Sequence, residues 1–473
     1  MSRGSTRSRL HILRHHHAPA PVARPHTRAL ADFWNMSSEE RWTSLLAGIL
    51  ERHTYHYQLN KAYRNTVAAR GVGSHATPDD LPRLLRPTAQ TFKSYIDALG
   101  TPFPQDDPRG FVEWLADQLS LDVSRERWER FRSPYRSLEK LLRAIEHEFR
   151  DLGLEMLTSS GTSGRASIIP RDVTSTALTV ESFYLAFQRY FGMRADHRAI
   201  FMMPRHTRIA MARMARFSVE RVGLTPDRVH FTIPFPAYPD QVRIRAGRTF
   251  RMGLRGALER FLWHPTMRFL QEKLVDPRAV EKALTLLIPA AAHGERVLLF
   301  GSLTHLHALA LHLLDRGQRM RLAPGSLVGT GGGMKETYPV GPEEIRRDLQ
   351  EAFLSTDGSP LPVRDVYGMA EANWAAMQCA EGNYHVPPWV HVVTVDDDGR
   401  FLSGIRTTGL LAFFDPFGGG DLFPAFFRSA DRVTLLTGQE GSRCPCGEAG
   451  AYLERASIRR VDLVGEAGCA AQV

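Results

Sequence analysis

Four short apolar runs constrain this chain more than any other feature: "RAIFMMP" at 198–204, "RVLLFG" at 296–301, "SLVGT" at 326–330 and "VRDVYG" at 363–368. Each is five to seven residues long and gives way to Gly, Pro or a Gly-rich turn. Apart from Arg364 and Asp365 in the last, their apolar residues follow one another without polar alternation, the pattern of strands covered on both faces. Between them lie segments of helical periodicity, such as "LTHLHALALHLLDRG" and "GPEEIRRDLQEAFLS". Strands that alternate with helices predict an α/β fold built on a parallel sheet.

The texture differs on either side. Upstream, Ser37 followed by Glu40 forms a capping box, and Trp42, Leu45, Leu46 and Ile49 recur at helical spacing behind it. Residues 103–150 are charged and helical, an amphipathic cover. Downstream of residue 390, "HVVTVDDDGRFL", "GLLAFFD" and "RVTLLTG" read as β-rich, with turns at Asp-Gly and Gly-rich sites. The sequence therefore divides into a basic arm (1–31), a helical N-terminal region (32–150), an α/β core (151–390), a β-rich subdomain (391–460) and a C-terminal tail (461–473). No internal repeat is visible.

A chain of 473 residues with a net charge of +9 invites a nucleic-acid reading. The charge is local, however. Arg3, Arg7, Arg9, Arg14, Arg24 and Arg28 all precede the first acidic residue, Asp32, in a Pro/His/Arg-rich arm too poor in apolar residues to fold alone. The arm reads as a tail, and no nucleic-acid partner is expected. Its longest apolar run, "LHIL", is too short for a secretory signal, and "ALTLLIPAAA" is too short for a membrane span. Four cysteines in so long a chain make no disulfide framework. The expectation is a cytoplasmic enzyme with free thiols.

Four constellations could carry chemistry. The hydroxyl-rich loop Ser159-Ser160-Gly161-Thr162-Ser163-Gly164 can turn backbone N–H groups inward to cradle phosphate oxygens, though it lacks the Gly-Lys-Ser/Thr of a Walker loop. In "GTGGGMKE", Gly331, Gly332 and Gly333 leave room for a flat ring against the backbone, and Lys335 brings a cation. "DVYGMAEANW" puts Tyr367, Gly368 and Glu371 at the carboxyl end of a strand, where open α/β sheets bind ligands. Glu371 could hold Mg²⁺, a cation that prefers oxygen ligands. In "FFRSADRV", Asp431 at the start of a strand could accept two ribose hydroxyls. A turn, a helix-capping acid or a plain glycine loop would explain each of these alone.

Taken in order, the four resemble the adenylate-forming superfamily of acyl-CoA synthetases and ligases. Together with "YHVPPW", "GLLAFFDP", "CPCGEAG" and "TFKS" at 91–94, they resemble its acyl-protein synthetase (LuxE-like) branch, related to phenylacetate-CoA ligase. The resemblance spans residues 80–460 and is patchy between 205 and 290. It implies the N-terminal domain of an adenylate-forming enzyme, with α/β sheets packed by helices plus a β-rich subdomain, lacking the full C-terminal domain. It also implies ATP and Mg²⁺ as cofactors and a carboxylic acid, a fatty acid foremost, as substrate. By the same resemblance Ser159 to Gly164 would hold the phosphates. Gly331–Gly333 and Tyr367 would flank adenine, Glu371 would place the metal, Asp431 would fix the ribose, and Arg455 would match an arginine that precedes the hinge. Cys469, near the C-terminus, would carry the acyl group as a thioester, with an acyl donor or acceptor protein as partner.

The sequence departs from that pattern in two places. Ala370 stands where relatives carry a Thr, so one hydroxyl contact to the adenylate phosphate is lost. The C-terminal domain with its catalytic Lys is expected to be missing, which makes Lys335 the candidate replacement cation, with Arg165 nearby. Coenzyme A, a carrier-protein thiol and an amine remain open as acceptors, as does a degenerate fold serving as a scaffold. Cys444 and Cys446 form a C-x-C with no second cysteine pair, a spacing that reads as a structural turn rather than a zinc site.

Overall fold

The computed structural model of the chain describes residues 29–121, 125–159, 166–245, 247–332 and 338–461. The basic arm up to residue 28 and the tail from residue 462 lie outside them. Ser37 caps the helix Ser38–Leu59 by the predicted reciprocal box, its Oγ accepting from the Glu40 N–H at 3.2 Å. After this helical region, β1 (Arg86–Pro87) runs beside Phe427 and Arg428, far along the chain. β2 (Glu155–Thr158) and β3 (Ile168–Arg171) form an antiparallel hairpin, and the hydroxyl-rich segment is the stretch of sequence between them.

The alternating segment then follows. β4 (Arg198–Pro204), β5 (Val229–Ile233) and β6 (Val297–Gly301) are joined through helices. A short β7 (Met320–Leu322) precedes β8 (Leu327–Gly331), and a short β9 (Phe353–Ser355) precedes β10 (Val363–Gly368). The antiparallel strands come last: β11 (Ala375–Gln378), β12 (Tyr384–His385), β13 (His391–Val395), β14 (Arg406–Asp415), β15 (Ala425–Leu436), β16 (Tyr452–Leu453) and β17 (Arg459–Arg460). One thirteen-stranded sheet carries most of them in the order β13-β14-β15-β16-β12-β11-β10-β8-β6-β4-β5, with β1 and β17 added beside β15. Along that order pairing is parallel from β5 to β10 and antiparallel from β10 onward, while the added β1 pairs with β15 in parallel. The mixed α/β architecture is the one expected from the sequence.

Alternate residues of the parallel strands point to opposite faces, and both faces are covered. Ile200, Met202, Leu299 and Val328 pack under the helices Asp276–Ala292, Leu303–Leu314 and Pro342–Ala352. Ala199, Phe201, Leu298 and Phe300 face the helices Val173–Phe191 and Ala210–Val222. A third cluster seats Ile49, Tyr63 and Val67 of the N-terminal helices on Leu410, Phe414 and Phe426 of the antiparallel strands. The helical region is thus a cover for the β-rich part of the sheet. Among the described residues, no helix is long and apolar enough to cross a membrane.

Candidate active site

The stretch between β2 and β3 is closed at its base by its own serines. The Ser159 N–H donates to the Ser167 carbonyl at 3.0 Å, and the Ser167 N–H donates to Ser159 Oγ at 2.9 Å. The "TFKS" segment braces the same base: the Ile168 N–H donates to the Phe92 carbonyl, and the Tyr95 hydroxyl donates to the Ala166 carbonyl at 3.1 Å. Of the predicted phosphate-loop residues, Ser159 is therefore placed at this base. Ser160, Gly161, Thr162, Ser163, Gly164 and the neighbouring Arg165 lie outside the described residues.

Ser167 links the loop to Glu371. Its hydroxyl donates to Glu371 Oε1 at 2.5 Å, and both side chains are buried. Glu371 is not the helix-capping acid that its sequence context allowed. It sits in the turn between β10 and β11, where the sheet changes from parallel to antiparallel. Gly368 ends β10 close to the helix Ala210–Val222: a Cβ there would meet Met211 Sδ at 2.9 Å and displace the end of that side chain.

The turn is held from beneath by Arg171, the last residue of β3. Its Nη2 donates to the carbonyls of both Ala370 and Ala372 at 3.0 Å, so its two bonds flank Glu371. Arg171 is fully buried. Burial pulls its guanidinium down to about 10, and the nearby carboxylates, Asp415 first, work against that pull. Asp415 is itself pushed up to about 7 by burial, against the backbone N–H groups of Phe417 and Gly418 and the charge of Arg171. Two residues beyond Glu371, the Asn373 amide is buried, and neither its Oδ1 nor its Nδ2 is hydrogen-bonded among the described residues. Sequence reasoning did not assign Ser167, Arg171 or Asn373. The one signal for Arg171 was an arginine inside the otherwise apolar "IIPR".

Tyr367 and Asp431 meet across the sheet. The buried tyrosine hydroxyl donates to Asp431 Oδ2 at 2.8 Å. Asp431 lies in the middle of β15 rather than at the start of a strand, because the phenylalanines ahead of it extend the strand to Ala425. The register slips there: Leu410 faces Arg432, whereas Ala412 faces Arg428, so β15 bulges at Ser429–Asp431. The bulge is tied by the Asp431 N–H donating to Ser429 Oγ at 3.1 Å. On the same face of β10, two residues before Tyr367, Asp365 accepts from the Tyr384 hydroxyl at 2.8 Å, and burial pushes its carboxyl up to about 6.

Gly331 ends β8 directly beside Val366 of β10, so the glycine segment begins one strand away from Tyr367. Gly332 follows with a left-handed φ of 91°. Gly333 and Lys335 lie outside the described residues, as does Cys469. Arg455 is described but sits apart: its Nη2 donates to Glu343 at 2.7 Å and its N–H donates to Asn383 Oδ1.

Among the described residues, the corner where the base of the hairpin meets the β10–β11 turn offers the oxygens of Glu371, Ser159 and Ser167, and the orphaned Asn373 amide lies close by in sequence. Such a donor set fits Mg²⁺ held together with substrate phosphates.

Residues 257–473 match the family model described as acyl-protein synthetase, LuxE. Among solved structures, an open conformation of 2-hydroxyisobutyryl-CoA ligase in complex with 2-HIB-AMP and CoA aligns over 93% of this chain and 80% of that one, with a TM-score of 0.54 and 12% identity. The same ligase in its thioesterification state aligns over 92% and 72%, with a TM-score of 0.52 and 12% identity. At that identity the likeness is one of fold. No curated protein matches the chain by sequence.

Proposed function

We propose that this chain, which matches the LuxE acyl-protein synthetase model over residues 257–473, is an ATP-dependent ligase that activates a fatty acid as its acyl-adenylate and passes the acyl group to a thiol. The observation that carries the reading is the bond from Ser167 to Glu371. It ties the base of a hydroxyl-rich loop to a carboxylate at the carboxyl end of the parallel strands, two hundred and four residues away.

In this reading the loop from Ser159 to Gly164 surrounds the β- and γ-phosphates with N–H and hydroxyl donors. Gly331–Gly333 and Tyr367 flank the adenine, and Asp431, oriented by the Tyr367 hydroxyl, accepts from the ribose. Glu371, with the serines beside it, would hold Mg²⁺, which supplies charge neutralisation on the phosphate oxygens. The substrate carboxylate attacks the α-phosphorus in line, the bond to the β-phosphate bridging oxygen breaks, and pyrophosphate leaves. No protein nucleophile is needed for this step, which rests on positioning and electrostatics. In the second step a thiolate, that of Cys469 in our reading, attacks the acyl carbonyl; a thioester forms and AMP leaves.

Carboxylate-dependent exchange of pyrophosphate into ATP tests the first step, screened over fatty, aryl and amino acids. Exchange stimulated most by a fatty acid is the expected result. Exchange stimulated by another class would redirect the substrate, and none with any acid would leave the fold as a scaffold.

A further inference from the structure

The C-x-C pair of the sequence does have partners. Cys379 at the end of β11 and His385 in β12 converge with Cys444 and Cys446 from the connection between β15 and β16. The ligating atoms of all four lie within 4.8 Å of one another. Cys379 Sγ and Cys444 Sγ are 3.8 Å apart, and Cys446 Sγ and His385 Nε2 are 3.3 Å apart. The reading of "CPCG" as a plain turn therefore needs correction. The completing residues stand about sixty positions upstream, and only the antiparallel pairing of β12 with β16 brings them alongside.

We propose that Cys379, His385, Cys444 and Cys446 form a structural zinc site. A tetrahedral zinc with Zn–S near 2.3 Å and Zn–N near 2.1 Å requires sulfurs about 3.8 Å apart and a sulfur-to-nitrogen separation of about 3.6 Å. The Cys379–Cys444 spacing of 3.8 Å matches, the Cys446–His385 spacing of 3.3 Å is slightly short, and the remaining pairs fall within 4.8 Å, so small side-chain shifts complete the shell. They are too wide for a disulfide, whose sulfurs bond at about 2.05 Å. Three sulfurs and one imidazole select zinc over the hard cations that suit Glu371.

The local backbone is built for it. "CAEG" and "CPCG" each fold into a turn in which the glycine N–H donates to the carbonyl of the first cysteine, Gly382 to Cys379 at 3.1 Å and Gly447 to Cys444 at 3.0 Å. Both glycines are left-handed, with φ of 83° and 86°. The two turns thus present Cys379 and Cys444 in the same way. Asn383 Nδ2 donates to Cys444 Sγ at 3.3 Å, the kind of outer-shell donor that supports a thiolate. Four protein ligands close the coordination shell, which marks the site as structural rather than catalytic.

The region also needs a clamp. β12 and β16 are two residues each; Tyr384 and Leu453 reach the main core, but the connection ahead of β16 rests on a small cluster of Cys379, Cys444 and Tyr452, with Leu436 and Cys446 packed alongside. So few apolar contacts hold a fifteen-residue connection weakly. A zinc here would lock β11 and β12 to the start of β16. Those strands lie between β10, which carries Tyr367, and β15, which carries Asp431.

The test is metal analysis of the full-length protein, purified without chelator from zinc-supplemented growth. One zinc per chain is expected, with loss of most of it in Cys446→Ser and in Cys379→Ser. His385→Cys retains a tetrahedral set and should keep its zinc, which separates loss of a ligand from failure to fold. Cobalt substitution of the parent protein should give intense tetrahedral d–d bands and a thiolate charge-transfer band, stronger in His385→Cys. Absence of zinc together with no thiolate–cobalt band on reconstitution overturns the proposal. So does a native mass short by two hydrogens with Cys379 and Cys444 joined in one peptide. Neither result bears on adenylation.

Discussion

Arg171→Met separates the positioning of Glu371 from the stability of the fold. Arg171 spends its Nη2 on the carbonyls on either side of Glu371. Leaving two buried carbonyls without this donor costs about 1–3 kcal/mol each. Against that stands the desolvation of a fully buried guanidinium, several kcal/mol, which the substitution relieves. Asp415, already held up at about 7 by burial, takes a proton when the arginine is gone, which removes its largest carboxylate partner as a buried charge. The terms nearly cancel, and the melting temperature should move by no more than about 5 °C.

The turn itself should loosen. A shift of Glu371 by about 1 Å is worth roughly 100-fold in rate, or about 2.7 kcal/mol of transition-state stabilisation. Fatty-acid-dependent pyrophosphate exchange, measured across a magnesium titration, should therefore fall by about two orders of magnitude in a folded protein, with a higher magnesium concentration at half-maximal rate. Exchange within a few-fold of the parent in a folded Arg171→Met protein would refute the positioning role. Loss of exchange that tracks loss of folded protein would refute the balance argued above.

Tyr367→Phe removes the donor to Asp431 and should raise KM for ATP by about 10- to 100-fold, the equivalent of about 1.5–3 kcal/mol for a bond to a charged acceptor, with kcat changed less; an unchanged KM would sink the ribose assignment. Lys335→Ala should strongly slow acyl-adenylate formation, and near-normal pyrophosphate exchange would dismiss Lys335 as the active-site cation. Intact-mass analysis after ATP and a fatty acid should find an acyl adduct that is absent in Cys469→Ser; an adduct that persists in the variant removes Cys469 as carrier. Burial holds the Asp415 carboxyl at about 7, well above its ordinary value of about 3.9. The folded chain keeps a proton that the unfolded chain releases, so this group's contribution is fully present below about pH 4 and lost as pH rises to about 7. Asp415→Asn should gain on the parent by up to about 2–3 kcal/mol between pH 5 and 7 in urea denaturation, and a difference independent of pH would contradict the raised carboxyl.

The local features were legible because they are local. An uninterrupted apolar run ended by glycine requires only its own residues to read as a buried strand, and β4, β6, β8 and β10 fall on the four such runs. The Ser37 box likewise needs only four positions. Arg171 was opaque for the opposite reason. A buried arginine looks like a surface arginine until the carbonyls of Ala370 and Ala372, about two hundred residues on, are brought to it. Asp431 was misplaced within its strand because the phenylalanines ahead of it extend β15 to Ala425, and the bulge that holds it depends on the register of β14 against β15, which no single strand encodes. The cysteines show the same limit. C-x-C is half a site, and its other half is defined by a pairing of two-residue strands.

The position of the candidate site follows from one reversal of the chain. From β4 to β10 the strands are parallel, so their carboxyl ends collect Gly331 and Gly368 on one edge. Had the chain continued into another helix and a parallel strand, Glu371 would have been carried off the sheet on a crossover. Instead it doubles back at once into β11, and the turn that achieves this stays at the edge, where Ser167 and Arg171 of the hairpin can hold it. The antiparallel order then returns β15 through β16, β12 and β11, with Asp431 within reach of Tyr367. A ligand bound at this edge would touch residues from both halves of the sheet. The short strands that join those halves are the ones the four-residue cysteine and histidine cluster would fasten.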